Sequence, residues 1–104
     1  MKRLRDTVVC ADGYKVSIQA SEYHYCIPRI NDAEEYGACE LGFPNQPDEL
    51  INEYAEYAEE SEYTNTVYAY VPAKVIQALL EKHGGIVSGE CPPLRIEEKE
   101  GEEE

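Results

Sequence analysis

Apolar and polar residues alternate with a period of two in the first part of the chain, as in strands that bury one face. A short apolar segment at 7–10 and a longer alternating segment at 14–20 flank Asp12 and Gly13. An Asp-Gly pair between two alternating segments is typical of a tight β-hairpin turn. The pattern therefore predicts an antiparallel hairpin over residues 6–20.

The same period predicts two further strands, at 36–43 and 66–71. The inward-facing side chains expected from the alternation are Cys39, Leu41 and Phe43 in one strand and Val67, Ala69 and Val71 in the other. Residues 22–28 also alternate, which predicts that the second hairpin strand continues to Pro28, where a missing N–H ends central pairing.

Two segments have the 3.6-residue period of amphipathic helices. In residues 48–60, Asp48 is the expected N-cap, and Leu50, Ile51, Tyr54, Ala55 and Ala58 form one arc. In residues 72–82, Pro72 suits the first helical position and Gly84 suits the left-handed position after the last turn. The apolar face of this second helix consists of Val75, Ile76, Leu79 and Leu80.

These elements indicate an α+β fold. We expect a small, mainly antiparallel four-stranded sheet with two helices packed on one face, because each helix then buries its apolar stripe. Residues 1–88 form the predicted domain. Residues 89–104 are predicted to be an acidic, flexible tail, because too few apolar side chains remain there to bury.

The charge changes the range of functions to be considered. The chain has 104 residues, enough for one domain, and 22 acidic against 9 basic residues give a net charge of −13. Direct binding to nucleic acid or to an anionic membrane needs a positive surface and is not expected. The chain has no apolar run of membrane-spanning length and no export signal, so a cytoplasmic protein with reduced thiols is expected.

The acidic face of the first helix is the leading candidate binding site. It carries Glu49, Glu53, Glu56 and Glu60, with Glu59 and Glu62 beside them. Like charges four residues apart destabilise a helix by about 0.2–0.5 kcal/mol each, so this face does not help the fold. A partner with a basic surface is its natural complement, and a homodimer would double the acidic surface. The alternative is an acidic face that serves only solubility.

Three weaker hypotheses about sites concern the histidines, cysteines and tyrosines. Tyr23, Tyr25, Arg29 and Tyr68 are candidates for binding a small ligand such as a nucleotide or metabolite. Cys10, His24, Cys26 and Cys39 would supply four zinc ligands, but their spacing lacks the paired cysteines of zinc knuckles. His24 and Cys26 on one strand face would resemble a nucleophile and its base, but no orienting third residue can be named. We therefore expect no enzymatic activity and no cofactor, and we assign His83 no chemical role.

Four segments carry a resemblance to known proteins: ASEYHYCIPR at 20–29, ELGFP at 40–44, VYAYVP at 67–72 and KHGGI at 82–86. Together they resemble small uncharacterised proteins encoded by bacteriophages and prophages. The resemblance implies a context and no site, since short acidic phage proteins are often inhibitors of host machinery, anti-CRISPR proteins among them. The hypothesis is then an inhibitor that binds a basic surface of a host nucleic-acid-binding or defence protein.

Overall fold

The computed structural model describes residues 4–56, 59 and 62–96, and its core is one five-stranded antiparallel sheet with one α-helix. The strands are β1 (Val8–Cys10), β2 (Lys15–Gln19), β3 (Ala38–Gly42), β4 (Val67–Pro72) and β5 (Ile86–Ser88), and the helix is α1 (Ala73–Lys82). Their order across the sheet is β4-β3-β2-β1-β5. The predicted α+β class is confirmed, whereas the prediction of four strands and two helices is slightly wrong.

The β1–β2 hairpin follows the sequence pattern closely. Val8 pairs with Val16, and both side chains are fully buried together with Ile18. The turn between them works as its residues predict: the Asp12 carboxylate accepts the Tyr14 N–H at 2.9 Å, and Gly13 takes a φ of 95° that favours glycine.

The predicted continuation of β2 to Pro28 is wrong. The strand ends at Gln19, and residues 20–26, which we call the excursion, leave the sheet before Ile27 returns to pair with Ala38. Ser21 starts this turn, because its hydroxyl accepts the Tyr23 N–H at 3.0 Å and so competes with strand pairing.

A β-bulge interrupts the pairing of β3 with β4. Leu41 pairs with Tyr68 and Cys39 with Val71, so Ala69 and Tyr70 together oppose a single β3 residue, Glu40. The bulge shifts the alternation of β4 by one residue. The prediction that Val67 and Ala69 point inward is wrong for this reason: both are only partly buried, and Tyr68 and Val71 are the fully buried residues.

Helix α1 confirms the second predicted helix. Its residues Ile76 and Leu79 are fully buried in the core that the sheet provides. Gly84 takes a φ of 92° immediately beyond the last turn, as the sequence predicts. Pro72, predicted at the first helical position, is the N-cap, because its ψ of 147° is still extended and the helix begins at Ala73.

The predicted helix at 48–60 is wrong over the described residues. Residues 49–51 form a turn, Asn52–Tyr54 form a single 3-10 turn, and Ala55 is already extended and bridges Tyr68 of β4. The Asp48 carboxylate does accept the Leu50 N–H at 2.9 Å, but the chain then turns without continuing as a helix. An α-helix would also have aligned the glutamates at repulsive i,i+4 spacing.

Two further differences concern strand faces and the end of the chain. Phe43, predicted to face inward, is 57% exposed with a φ of 51°, because the chain turns at the end of β3. The strand β5 was not predicted: it has three exposed residues and pairs with β1 at the edge of the sheet. Of the predicted tail, residues 89–96 lie along the domain, with Leu94 bridging Tyr36, and 97–104 lie outside the described residues.

Candidate functional site

The predicted acidic site is exposed but is not helical. Glu49, Glu53, Glu56 and Glu59 are exposed, Glu62 is half-buried, and Glu60 lies outside the described residues. None of the ion pairs formed within the described residues includes any of these glutamates. The surface therefore keeps an uncompensated negative charge, carried by an irregular segment and not by a helix face.

An exposed pair of tyrosines beside an arginine lies where the excursion contacts β4. The rings of Tyr25 and Tyr70 are 5.7 Å apart between centroids, and the guanidinium carbon of Arg29 lies 5.3 Å from the Tyr25 centroid. Tyr25 is 38% exposed and Tyr70 43% exposed. We call Tyr25, Arg29 and Tyr70 the aromatic patch. Aromatic and arginine side chains at a surface are the composition typical of protein-binding hot spots.

Hydrogen bonds from the two backbone amides hold the two tyrosines of this patch in position. The Tyr70 N–H donates to the Tyr25 carbonyl at 3.1 Å, and the Tyr25 N–H donates to the Glu40 carboxylate at 2.9 Å. Tyr70 is the bulged residue of β4, with a φ of 53° that a tyrosine rarely adopts. Bulges re-aim side chains, and such strain is concentrated at functional sites. The bulge is thus what brings Tyr70 to Tyr25.

The acidic segment and the aromatic patch adjoin each other along β4. The Glu56 N–H donates to the Val67 carbonyl at 2.9 Å, and Ala55 bridges Tyr68. Tyr70 follows Val67 by three residues, which is about 10 Å along a strand. The exposed residue Glu56 therefore lies beside β4, about 10 Å along the strand from Tyr70.

The four residues predicted to bind a small ligand do not converge. Tyr25 and Arg29 contact each other, but Tyr23 is 75% exposed on the excursion and no contact joins it to them. Tyr68 is fully buried and donates its hydroxyl to the Tyr63 carbonyl; burial and the nearby Tyr63 raise its pKa to about 12. Tyr68 is therefore a core residue.

A buried histidine, His83, forms a cluster that the sequence did not reveal. Its Nδ1 lies 2.7 Å from an Asp12 carboxylate oxygen, and its Nε2 lies 2.7 Å from an Asp48 carboxylate oxygen. The ring stacks on Tyr14 with centroids 4.0 Å apart and planes 7° apart, and Lys82 donates to Asp48 at 3.1 Å. The three elements joined are the β1–β2 turn, the loop after β3 and the end of α1.

Hydrogen bonds set the charges in this cluster. Burial lowers the pKa of His83, but the bonds to Asp12 and Asp48 more than compensate and raise it overall. The bond from His83 lowers the pKa of Asp12. Burial raises the pKa of Asp48, but bonds from the Leu50 N–H, His83 and Lys82 lower it overall. With both ring nitrogens bonded to carboxylates, His83 links the three elements.

No local signal would have found the cluster, because its members are 71 and 35 residues apart. Each residue also has an adequate local interpretation: Asp12 is a turn residue, Asp48 begins a turn and His83 ends a helix. Their convergence depends on the tertiary fold.

The histidine and cysteines proposed as zinc ligands are used otherwise. His24 contacts the Ser21 hydroxyl, and the Cys26 thiol donates to the carbonyls of Ser21 and Pro28 at 3.2 and 3.4 Å. Burial raises the pKa of Cys10 and Cys26, and raises that of Cys39 to about 12, which disfavours thiolates. No group of three or more His, Cys, Asp or Glu side chains in the described part of the chain is arranged to hold a metal ion.

Comparisons with known proteins give no further guide to function. No protein-family model matches the chain, and neither the curated proteins nor the solved structures provide a match. Over the described ranges, no helix has both the length and the apolar character needed to cross a membrane. Function has to be inferred from the surfaces themselves.

Proposed function

We propose that this protein acts by binding another protein, with the aromatic patch at the centre of the interface and the glutamates at its border. The observation that supports this most strongly is the exposed Tyr25–Tyr70 pair, held by a strained bulge and flanked by Arg29. A solvent-exposed pair of this kind gains little for the fold while 38% of Tyr25 and 43% of Tyr70 stay exposed to water. It gains much more when a partner covers it.

The patch has the properties of an interface centre. A tyrosine buries about 150–250 Å² when fully covered, and it loses little conformational entropy because it has only two side-chain torsions. Arg29 already lies against the Tyr25 ring, so less freedom is lost when it binds. Ile27, 55% exposed and two residues from Tyr25, adds apolar surface.

The charged border determines which partner fits. Glu56 is exposed on the segment that pairs with β4, and Glu53 and Glu59 are exposed within three residues of it in sequence, on a chain with a net charge of −13. Such a border attracts arginine and lysine side chains and accelerates association with a basic surface. The same carboxylates would compete with phosphate for those side chains. The phage resemblance extends the proposal to inhibition of a host nucleic-acid-binding or defence protein.

Differential affinity capture from host extract tests the proposal. The bait proteins are wild type, the Tyr25→Ala/Tyr70→Ala variant, and Val87→Ala as a matched control. Val87 is 64% exposed on β5, at the opposite edge of the sheet, so its loss also removes exposed apolar surface. We expect a basic protein that wild type and Val87→Ala retain and the double variant loses.

The affinity for the captured protein is then measured across salt concentrations, with Glu53, Glu56 and Glu59 changed to Gln in a further variant. We expect the glutamine variant to associate more slowly and to depend less on salt, and the tyrosine variant to dissociate faster. A partner retained equally by the tyrosine variant would show that the aromatic patch is not the interface.

A further inference from the structure

A pocket of about 150 Å³ lies between the N-terminal segment and the excursion. Arg5, Ser21, Tyr23 and His24 contribute to its lining, which includes no acidic side chain. A pocket lined by an arginine and a histidine but by no acidic side chain is unusual in a chain with a net charge of −13. It shares no residue with the aromatic patch, so it is an independent candidate site.

Arg5 is held in place by a buried glutamine. The Gln19 side-chain amide accepts the Arg5 backbone N–H and donates to the Arg5 carbonyl, both at 2.9 Å. One terminal nitrogen of the guanidinium donates to the Ala20 carbonyl at 2.9 Å. A guanidinium has five N–H donors in a fixed plane, so this bond orients the group and leaves further donors available.

His24 is oriented as well. Its Nδ1 lies 2.7 Å from the Ser21 hydroxyl oxygen, which already accepts the Tyr23 N–H. The Ser21 hydroxyl keeps its hydrogen for Nδ1, and the tautomer that accepts this bond carries the ring proton of neutral His24 on Nε2. Nε2–H is then a donor, and no bond within the described residues engages it.

The size and lining of the pocket define the ligand. An engineered cavity of the same volume in another protein holds one benzene molecule, so this pocket suits a single ring or a single oxyanion and not a whole nucleotide. We propose that the pocket binds the carboxylate or phosphate group of a small molecule, with the Arg5 guanidinium and His24 Nε2–H as donors. The exposed Tyr23 ring flanks the bound group.

Solution NMR of the full chain tests this with two probes, inorganic phosphate and benzoate, at constant ionic strength. Each is titrated to about 20 mM, which suffices for a weak complex with a Kd of about 1 mM. We expect saturable shifts of the backbone amides of Arg5, Tyr23 and His24 with at least one probe. Phosphate alone would identify a phosphate ligand, and benzoate alone a carboxylate ligand.

Arg5→Gln is the decisive variant. It keeps the backbone bonds between residue 5 and Gln19, so the fold should survive, and we expect at least tenfold weaker binding. Arg95→Gln is the matched control, because Arg95 is exposed and lies outside the pocket. His24→Gln, which removes the oriented ring, should weaken binding too and replaces Arg5→Gln if that variant does not fold.

Two results would overturn the proposal. One is the absence of saturable shifts at these residues with either probe. The other is binding that stays unchanged both when Arg5 and when His24 is replaced, which would mean that neither donor is used.

Discussion

His83 connects three parts of the chain that are far apart in sequence. Both of its ring nitrogens contact carboxylates at 2.7 Å, so both serve as donors when the ring is charged, and the Tyr14 face stacks against it. A neutral ring would bring one lone pair against a carboxylate oxygen. The geometry therefore favours a charged imidazole inside the fold, bonded to Asp48 in the interior and to Asp12 at the surface.

Replacing this residue should destabilise the fold measurably. His83→Phe keeps a ring against Tyr14 but removes both bonds and leaves the buried Asp48 with fewer donors. We expect a loss of about 2–3 kcal/mol in the free energy of unfolding, since the buried bond to charged Asp48 contributes about 1.5–3 kcal/mol and water screens the exposed bond to Asp12. Urea unfolding at pH 6 measures it, with His24→Phe as the partly exposed control. Equal stability of His83→Phe and wild type would contradict the structural role.

The same cluster predicts how stability depends on pH. A raised pKa of His83 means stabilisation that is complete below the ordinary histidine value of 6.5 and is lost as the pH rises through the folded-state value. The lowered pKa values of Asp12 and Asp48 mean stabilisation that is present above 3.8 and is lost as the pH falls. The groups that face the ring are these two carboxylates, Lys82 and Tyr14.

We therefore expect the melting temperature of wild type to be highest between these two ordinary values and to fall above pH 6.5. Thermal denaturation between pH 5 and 8 measures this. His83→Phe should lack the decline on the alkaline side of that range. A parallel decline in both proteins would assign it to other groups.

At the scale of elements, hydrophobic periodicity predicted correctly those elements whose conformation depends on residues close together in the sequence. The β1–β2 hairpin and α1 follow from alternation, an Asp-Gly turn and a Pro–Gly frame, all of which are local in sequence. The segment at 48–60 had an equally good helical pattern and is not a helix. Its Asp48 is committed to His83 and Lys82, and Ala55 pairs with β4, so tertiary contacts decide its conformation.

The candidate sites also differ in whether local sequence or a tertiary contact defines them. Tyr23, Tyr25 and Arg29 are candidates for ligand binding from the sequence alone, because they lie within seven residues of one another. The contact of Tyr25 with Tyr70 was not predicted, because it depends on a bulge that periodicity cannot reveal: one extra residue reverses which side of the strand is buried. Tyr68 was assigned to the wrong side of β4 for that reason.

The bulge itself leads to a prediction. Tyr70 and Phe43 are both exposed aromatic residues with a φ near +50°. This conformation costs a residue other than glycine about 1–2 kcal/mol, and glycine adopts it without that cost. We expect Tyr70→Gly and Phe43→Gly each to stay within about 1 kcal/mol of wild type in unfolding free energy, since relief of strain offsets the lost ring contacts.

Partner binding should distinguish these two variants. Tyr70→Gly should weaken partner binding strongly, because it removes a ring of the aromatic patch. Phe43→Gly should bind as wild type does, because Phe43 follows the Gly42 end of β3, whereas Ile27 pairs with Ala38 at the other end. Urea unfolding and affinity for the captured partner are the two measurements. A large loss of stability in Tyr70→Gly alone would identify the ring as a packing element of the fold.

At the scale of the whole molecule, excess negative charge should oppose the compact state. The net charge is −13, and the exposed Glu49, Glu53, Glu56 and Glu59 have no basic partner among the described ion pairs. Repulsion between exposed charges is screened by salt: the Debye length falls from about 30 Å at 0.01 M to about 10 Å at 0.1 M. The fold should therefore be more stable at the higher salt concentration.

Thermal denaturation at these two NaCl concentrations measures the effect. We expect the melting temperature of wild type to rise by about 5 °C, which corresponds to about 1 kcal/mol in a domain of this size. Changing the four glutamates to Gln reduces the net charge from −13 to −9, so the variant should melt higher at low salt and respond less to NaCl. Equal salt responses would mean that these carboxylates do not repel one another or the rest of the chain. If both salt and removal of the carboxylates raise the melting temperature, these glutamates destabilise the fold by repulsion. A basic partner would remove that repulsion on binding.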